Sequence, residues 1–164
     1  MPRALVFPGQ GSQTVGMGKE IYDAFVSARP VFEEVDDTLG QNLSRVMFEG
    51  PETELTLTEN AQPALMTVSI AICRVLQEEG SLVLSDIANF IAGHSLGEYS
   101  ALTAAGSLRL ADTAHLLKLR GKAMQSAVPV DEGKMVAIIG LGLGDVEEVA
   151  EAANAFGICD IAND

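Results

Sequence analysis

The chain has 164 residues and a formal net charge of −13, with 23 acidic side chains against 10 lysines and arginines. That balance excludes nucleic acid as the main partner, because phosphate binding needs a positive footprint, and it leaves open an acidic protein meeting a local basic patch. At 48% hydrophobic and 20% charged the chain can bury the core of one domain or most of one, and its richest apolar run, Ala64 to Leu76, is too interrupted (Thr67, Ser69, Arg74) for a membrane span. Cys73 in a helical run and Cys159 in a strand-like run read as core thiols rather than a disulfide, which fits a reducing cytoplasm. The N-terminus is broken by Pro8-Gly9 too early for a signal peptide.

In chain order, Ala4 to Phe7 is a short apolar strand, stopped by a glycine-rich loop, Pro8-Gly9-Gln10-Gly11-Ser12-Gln13. A dinucleotide fingerprint carries little weight there, since Thr14 stands where the third glycine belongs. The glycines instead let Gln10 or backbone N–H groups come close to a ligand. Lys19 to Ser27 and Pro30 to Leu39 read as amphipathic helices, the second ended by Gly40. Leu43 to Phe48 is a short helical turn, and Glu52 to Glu59 a polar connection. Ala61-Gln62-Pro63 opens the most apolar helix, Ala64 to Glu79, which should lie inside the molecule. Gln62 sits just before its first turn, either reaching a site at that helix end or lying in a surface loop.

Ile87 to Ala92 reads as a buried strand and Glu98 to Ala105 as a helix. Between them stands Gly93-His94-Ser95-Leu96-Gly97, the G-x-S-x-G pattern of a nucleophile elbow. The turn strains the backbone at the serine, and a Cβ at either flanking glycine would crowd the strand and helix. The helix following it points free N–H groups at an anionic oxygen beside the serine. The plain alternative is that Ser95 only caps a helix.

Asp112 caps a further helix, which runs to about Val128 and stops at Pro129. Asp131 to Lys134 is a turn, Met135 to Ile139 a strand, Asp145 to Ala155 a helix and Ile158 to Ala162 a strand. Alternating strands and helices argue for α/β layers, with a subdomain beginning after Pro129.

A serine nucleophile needs a base and oxyanion donors. His94 is a poor base, because neighbours across a tight turn point apart; His115 lies in an apolar helix and is expected to be packed or half-exposed. Arg120, in a mostly apolar helix, needs an anionic partner, and its planar fork suits a carboxylate. An internal ion pair and a substrate carboxylate are equal readings of its position.

Pro8 to Gln13, Ala61-Gln62-Pro63-Ala64, Gly93 to Ala101, Arg120-Gly121 with Met124-Gln125, and Ile161-Ala162-Asn163 stand in an order that closely resembles the malonyl-CoA:acyl-carrier-protein transacylases of bacterial fatty acid synthesis. The resemblance implies an α/β-hydrolase-like large acyltransferase subdomain, here residues 1–129, and the start of a small ferredoxin-like one, 130–164, both incomplete. It implies that Ser95 carries a malonyl ester and passes it to the phosphopantetheine thiol of acyl carrier protein. Gln10 and the Leu96 N–H would form the oxyanion hole. Arg120 would hold the malonyl carboxylate, with Gln62, His94 and Asn163 as further substrate-binding residues. No metal or cofactor is implied, CoA and phosphopantetheine thioesters being substrates; the full-length form is expected to be a monomer. The family's catalytic histidine lies beyond Asp164, so the chain reads as an N-terminal portion, expected to be inactive alone. A serine (thio)esterase and a non-catalytic acyl-CoA or partner-binding fragment are the competing readings.

Overall fold

In the computed structural model, which describes residues 1–128 and 132–163, the chain divides into two compact units, Met1–Pro129 and Val130–Asp164. The first unit contains β1 (Ala4–Phe7), α1 (Lys19–Ala24), a 3-10 turn (Val26–Ala28), α2 (Arg29–Leu39), α3 (Leu43–Glu49), α4 (Glu52–Leu55), α5 (Thr58–Glu78), α6 (Leu84–Ile87), β2 (Phe90–Gly93), α7 (Leu96–Ala104) and α8 (Leu110–Ala127). The second contains α9 (Leu143–Ala153). The fold is α/β, mostly helical with a small parallel sheet: β1 and β2 pair in register from Ala4 with Phe90 to Phe7 with Gly93.

α5 is the axis of the first unit. Its apolar surface runs nearly all the way round, so it can only be satisfied by partners on several sides. α2, α3, α7 and α8 supply them. The core they enclose holds Phe32, Val35, Leu43, Met47, Leu65, Met66, Ile70, Leu96 and Leu117. Tyr22, Phe32 and Phe48 add an aromatic cluster with ring centroids 5.3–5.5 Å apart. α2 starts one residue before Pro30, which sits in its first turn, and ends at Gly40 in the left-handed conformation (φ 57°).

Several expectations are corrected. The helix from Lys19 ends at Ala24 because Phe25 is extended, and Val26–Ala28 forms a 3-10 turn. Glu52 to Glu59 is not a plain connection, since it contains α4 and the start of α5. α5 begins six residues before Ala64 and carries Pro63 inside it, so Gln62 is helical and buried rather than in a loop. Packing of this first turn on α8 outweighs the one hydrogen bond that proline removes. The strand expected at Ile87 to Ala92 starts only at Phe90, where pairing with β1 begins. It is not buried: Phe90 is 65% exposed. α7 starts two residues earlier than expected and α8 three. Asp112 is not a cap; Arg109 holds the cap position, and its guanidinium donates to the Asp112 carboxylate at 2.7 and 2.9 Å, holding that carboxyl below its usual range.

In the second unit α9 runs from Leu143 to Ala153, two residues earlier than expected at each end. Neither Met135 to Ile139 nor Ile158 to Ala162 forms a strand among the described residues, because an isolated strand without a ladder partner has no backbone hydrogen bonds to hold it. Cys159, expected in a core, is only partly buried and bonds Asn154 through its backbone. Pro129 as a helix stop, Asp131 in the expected turn, and Asp164 lie outside the described residues.

Two measurements follow from this packing. Phe32→Ala removes a fully buried ring and should lower the stability of the first unit by about 3–5 kcal/mol, read from urea unfolding. Both cysteines are free, but burial pushes the Cys73 thiol up, so iodoacetamide should alkylate Cys159 well before Cys73 in the folded chain, as peptide mass mapping would read.

Candidate active site

The site is built where β1, β2 and α7 meet through backbone alone. A Cβ at Gly93 would strike the Gly97 carbonyl, and a Cβ at Gly97 would strike the Phe7 and Pro8 carbonyls. With hydrogens at both places, the chain leaves β2, bonds His94 N–H to the Phe7 carbonyl (3.1 Å), turns once and enters α7. Ser95 takes the turn at φ 55° and ψ −115°, a conformation that L residues rarely adopt. The turn is closed by Gly97 N–H on the His94 carbonyl (2.9 Å) and Glu98 N–H on the Ser95 carbonyl (3.2 Å).

The Ser95 hydroxyl does not cap α7. It is exposed, and its Oγ accepts a hydrogen bond from Arg120 Nη2 at 2.9 Å. The other terminal nitrogen, Nη1, donates to Gln62 Oε1 at 2.7 Å. The Gln62 amide is oriented in turn, since its Nε2 donates to Met124 Sδ at 3.3 Å. α8 therefore brings Arg120 and Met124, one turn apart, onto Gln62 of α5. The guanidinium also lies 5.9 Å from the centre of the Tyr99 ring. The described residues' ion pairs do not include Arg120, so it faces Ser95 with its charge unpaired by any described carboxylate.

The other expected site residues fall as follows. Leu96 is the first residue of α7, so its N–H has no helical carbonyl to bond, while its side chain is buried. Gln10 is exposed and reaches Thr58 in the first turn of α5 (Nε2 to Oγ1, 3.5 Å). The His94 ring lies against the Gly9 backbone, where a Cβ would come within 2.6 Å of Nδ1; it is thus a neighbour of the glycine-rich loop. His115 is exposed on α8. Asn163 belongs to the second unit. A separate apolar cavity of about 360 Å³ between β1 and α5, lined by Leu5, Phe7, Leu65, Val68, Ile72 and Leu76 among others, contains none of Ser95, Gln62 or Arg120.

Sequence reasoning quoted Met124 and Tyr99 within motifs but gave neither a role at the site. Both carried a signal. Met124 follows Arg120 by four residues and Tyr99 follows Ser95 by four, the helical spacing that puts two side chains on one face.

What this arrangement can do is specific. A hydroxyl at the apex of a strained turn is exposed to attack a substrate carbon, with a first-turn N–H one residue away and a charged, planar fork within hydrogen-bond reach of it. Strain at Ser95 has a measurable consequence. Both Ser95→Ala and Ser95→Gly lose the hydroxyl, but only glycine relieves the positive φ. The glycine variant should be the more stable of the two by about 1–2 kcal/mol in urea unfolding.

Comparison with known proteins is consistent across sequence and structure. Residues 4–154 match the family model described as acyl transferase domain. The chain is 47% identical over 161 residues to a malonyl CoA-acyl carrier protein transacylase of Bacillus subtilis, a match covering 98% of this chain and 49% of the relative. The crystal structure of an acyl-carrier-protein-S-malonyltransferase from Bartonella henselae is similar at 58% identity and a TM-score of 0.93, covering 100% of this chain and 52% of that one. A malonyl-transacylase solved in complex with its type II polyketide synthase acyl-carrier protein is similar at 43% identity and a TM-score of 0.85, covering 94% of this chain and 49% of that one. The chain spans about half the length of the curated relatives it matches.

Proposed function

Because the chain belongs to the acyl transferase domain family, we propose that it carries the nucleophile and the carboxylate-binding part of a malonyl transfer from malonyl-CoA to acyl carrier protein in fatty acid synthesis. The single observation that carries this reading is Arg120: a guanidinium on the Ser95 hydroxyl, braced by Gln62, with no described carboxylate of its own. A malonyl group presents a carboxylate one methylene from the carbon under attack. A residue that touches the nucleophile is well placed to bind that carboxylate bidentately.

In the proposed reaction Ser95 Oγ gives its proton to a general base as it attacks the thioester carbon, and that base returns the proton to the departing sulfur. The negative charge that develops on the carbonyl oxygen is met by the Leu96 N–H, with Gln10 as second donor. The C–S bond breaks, CoA leaves as a thiol once protonated, and Ser95 holds a malonyl ester. The phosphopantetheine thiol of acyl carrier protein then attacks the ester carbon, and the serine oxygen recovers a proton. The hydrogen-bond donor found on Oγ, Arg120, cannot accept that proton, and His115 is exposed on α8. From the family resemblance, the base is a histidine in the half of the relatives' length that this chain does not span. The complex of a related malonyl-transacylase with its acyl-carrier protein supports the acceptor. Gln62 and His94 border the malonyl site in this reading, and Asn163 belongs to a motif near it.

The same reading gives the architecture its finer description. The strained turn at Ser95 is a nucleophile elbow on an α/β-hydrolase-like large subdomain, residues 1–129, and 130–164 begin a small ferredoxin-like one. The unpaired thiols Cys73 and Cys159 fit a cytoplasmic setting.

Calorimetric titration with malonyl-CoA and acetyl-CoA tests the proposal without requiring turnover. The chain should bind malonyl-CoA more tightly, and Arg120→Ala should abolish the difference at a loss of about 10–100-fold, the equivalent of one charge-assisted pairing. Ser95→Ala should keep the preference. Equal affinity of the unaltered chain for the two thioesters would overturn the carboxylate role.

A further inference from the structure

We propose that Lys118 is the positioning residue of this site: seated among oxygens of Gln41, Glu59 and Asn60, it locks the first turn of α5 to α8 and so holds Gln62 against Arg120. The meaning of that contact for malonyl binding rests on the function proposed above; the positioning itself does not.

The seat is fully built. Lys118 Nζ donates to Gln41 Oε1 and Asn60 Oδ1, both at 2.8 Å, and lies 3.6 Å from Glu59 Oε2. An ammonium has three protons, and three oxygens surround it. Asn60 is 3% exposed and is held at both ends of its amide: Oδ1 also accepts from Gln41 Nε2 at 3.0 Å, and Nδ2 donates to the Glu54 carbonyl at 2.9 Å. One lysine thus ties α8 to the first turn of α5 and to the loop after α2, and Asn60 extends the tie to α4.

Leu117 and Ala114 of α8 share the buried core with Leu65 and Met66 of α5, but at the start of α5 the two helices meet with bare backbone, and there the lysine supplies the directional tie. One turn along α8, Gly121 meets Thr58 and Glu59 with no side chain between: a Cβ there would lie 2.5 Å from Glu59 Cα and 2.7 Å from the Thr58 carbonyl. Backbone against backbone allows close approach but offers no knob to stop a slide. A slip of about 1.5 Å, one residue's rise, would break the 2.7 Å bond between Arg120 and Gln62. Thr58, which takes Gln10, sits on the same turn and would move with it. The lysine side chain is only 16% exposed, and burial pulls its ammonium below the usual lysine range, with Lys122 acting the same way and Glu59 and Glu54 opposing. The fold therefore holds this charge at a cost, present below the depressed value and relieved as pH rises through it, where an apolar side chain of similar volume would fill the space without one. What the charge provides in return is a fixed register.

The test reads Arg120 directly, through its modification by phenylglyoxal, mapped peptide by peptide in the full chain. In the unaltered chain Arg120, held by Gln62 and Ser95, should react more slowly than the exposed Arg45 and Arg109. Lys118→Met keeps the stem and removes the charge; it should speed reaction at Arg120 roughly tenfold, the loss of one charged hydrogen bond, with Arg45 and Arg109 unchanged. Lys118→Arg should restore protection. Glu59→Gln should give the same effect in smaller measure, and serves if Lys118→Met does not fold. An unchanged Arg120 rate in a folded variant would overturn the proposal, as would unfolding of both variants, which would make the lysine a support of the whole seam. Added malonate gives a separate arm. Protection of Arg120 by malonate in the unaltered chain bears on the malonyl reading alone, and its absence would sink that reading while leaving the positioning result intact.

Discussion

Two glycines, Gly93 and Gly97, let three pieces of backbone approach so closely that no side chain fits between them. Everything at the site descends from that contact. It lets the end of β2 and the start of α7 press on the end of β1, forces the intervening residue through a left-handed turn, and leaves the Ser95 hydroxyl nothing local to bond. A serine elsewhere at a helix start would turn its oxygen back onto its own backbone. Here the geometry denies it that option, and the oxygen faces α8 instead.

The second constraint is the seam between α5 and α8. It carries most of what the serine meets. Gly121 sets how near the helices come, Lys118 sets their register, and Arg120 and Met124 use the result to grip Gln62 from both ends of its amide. The order of cause is instructive. An arginine can reach a serine by many rotamers, each losing side-chain entropy on being held. Bracing by a buried glutamine removes that freedom, which would preorganise the guanidinium for the carboxylate proposed above.

These two constraints have different origins in the chain. The elbow is local: five consecutive residues contain it, and the strand and helix on either side are short. The seam is not. Gln62 and Arg120 are 58 residues apart, as are Asn60 and Lys118, and no local pattern links them. Only the apolar girth of α5, which requires helices on several of its sides, hints that α8 must lie along it.

Much was therefore legible in the residues themselves. The longer helices and both strands of the first unit, the turn at Ser95, the glycine that ends α2 and the family resemblance all follow from short patterns whose physics is local: periodicity, turn chemistry, the special freedom of glycine. Tertiary structure decided the rest. It started α5 six residues before Ala64 and ran it through Pro63, because packing on α8 outweighs one lost hydrogen bond. It confined β2 to the four residues that find a partner in β1, and left Met135 to Ile139 and Ile158 to Ala162 without a ladder. It gave Asp112 to Arg109 instead of to a helix end. It also settled what Arg120 touches, since a cation's partner is chosen by what folding brings within a few ångströms, and that is not written in the neighbouring residues.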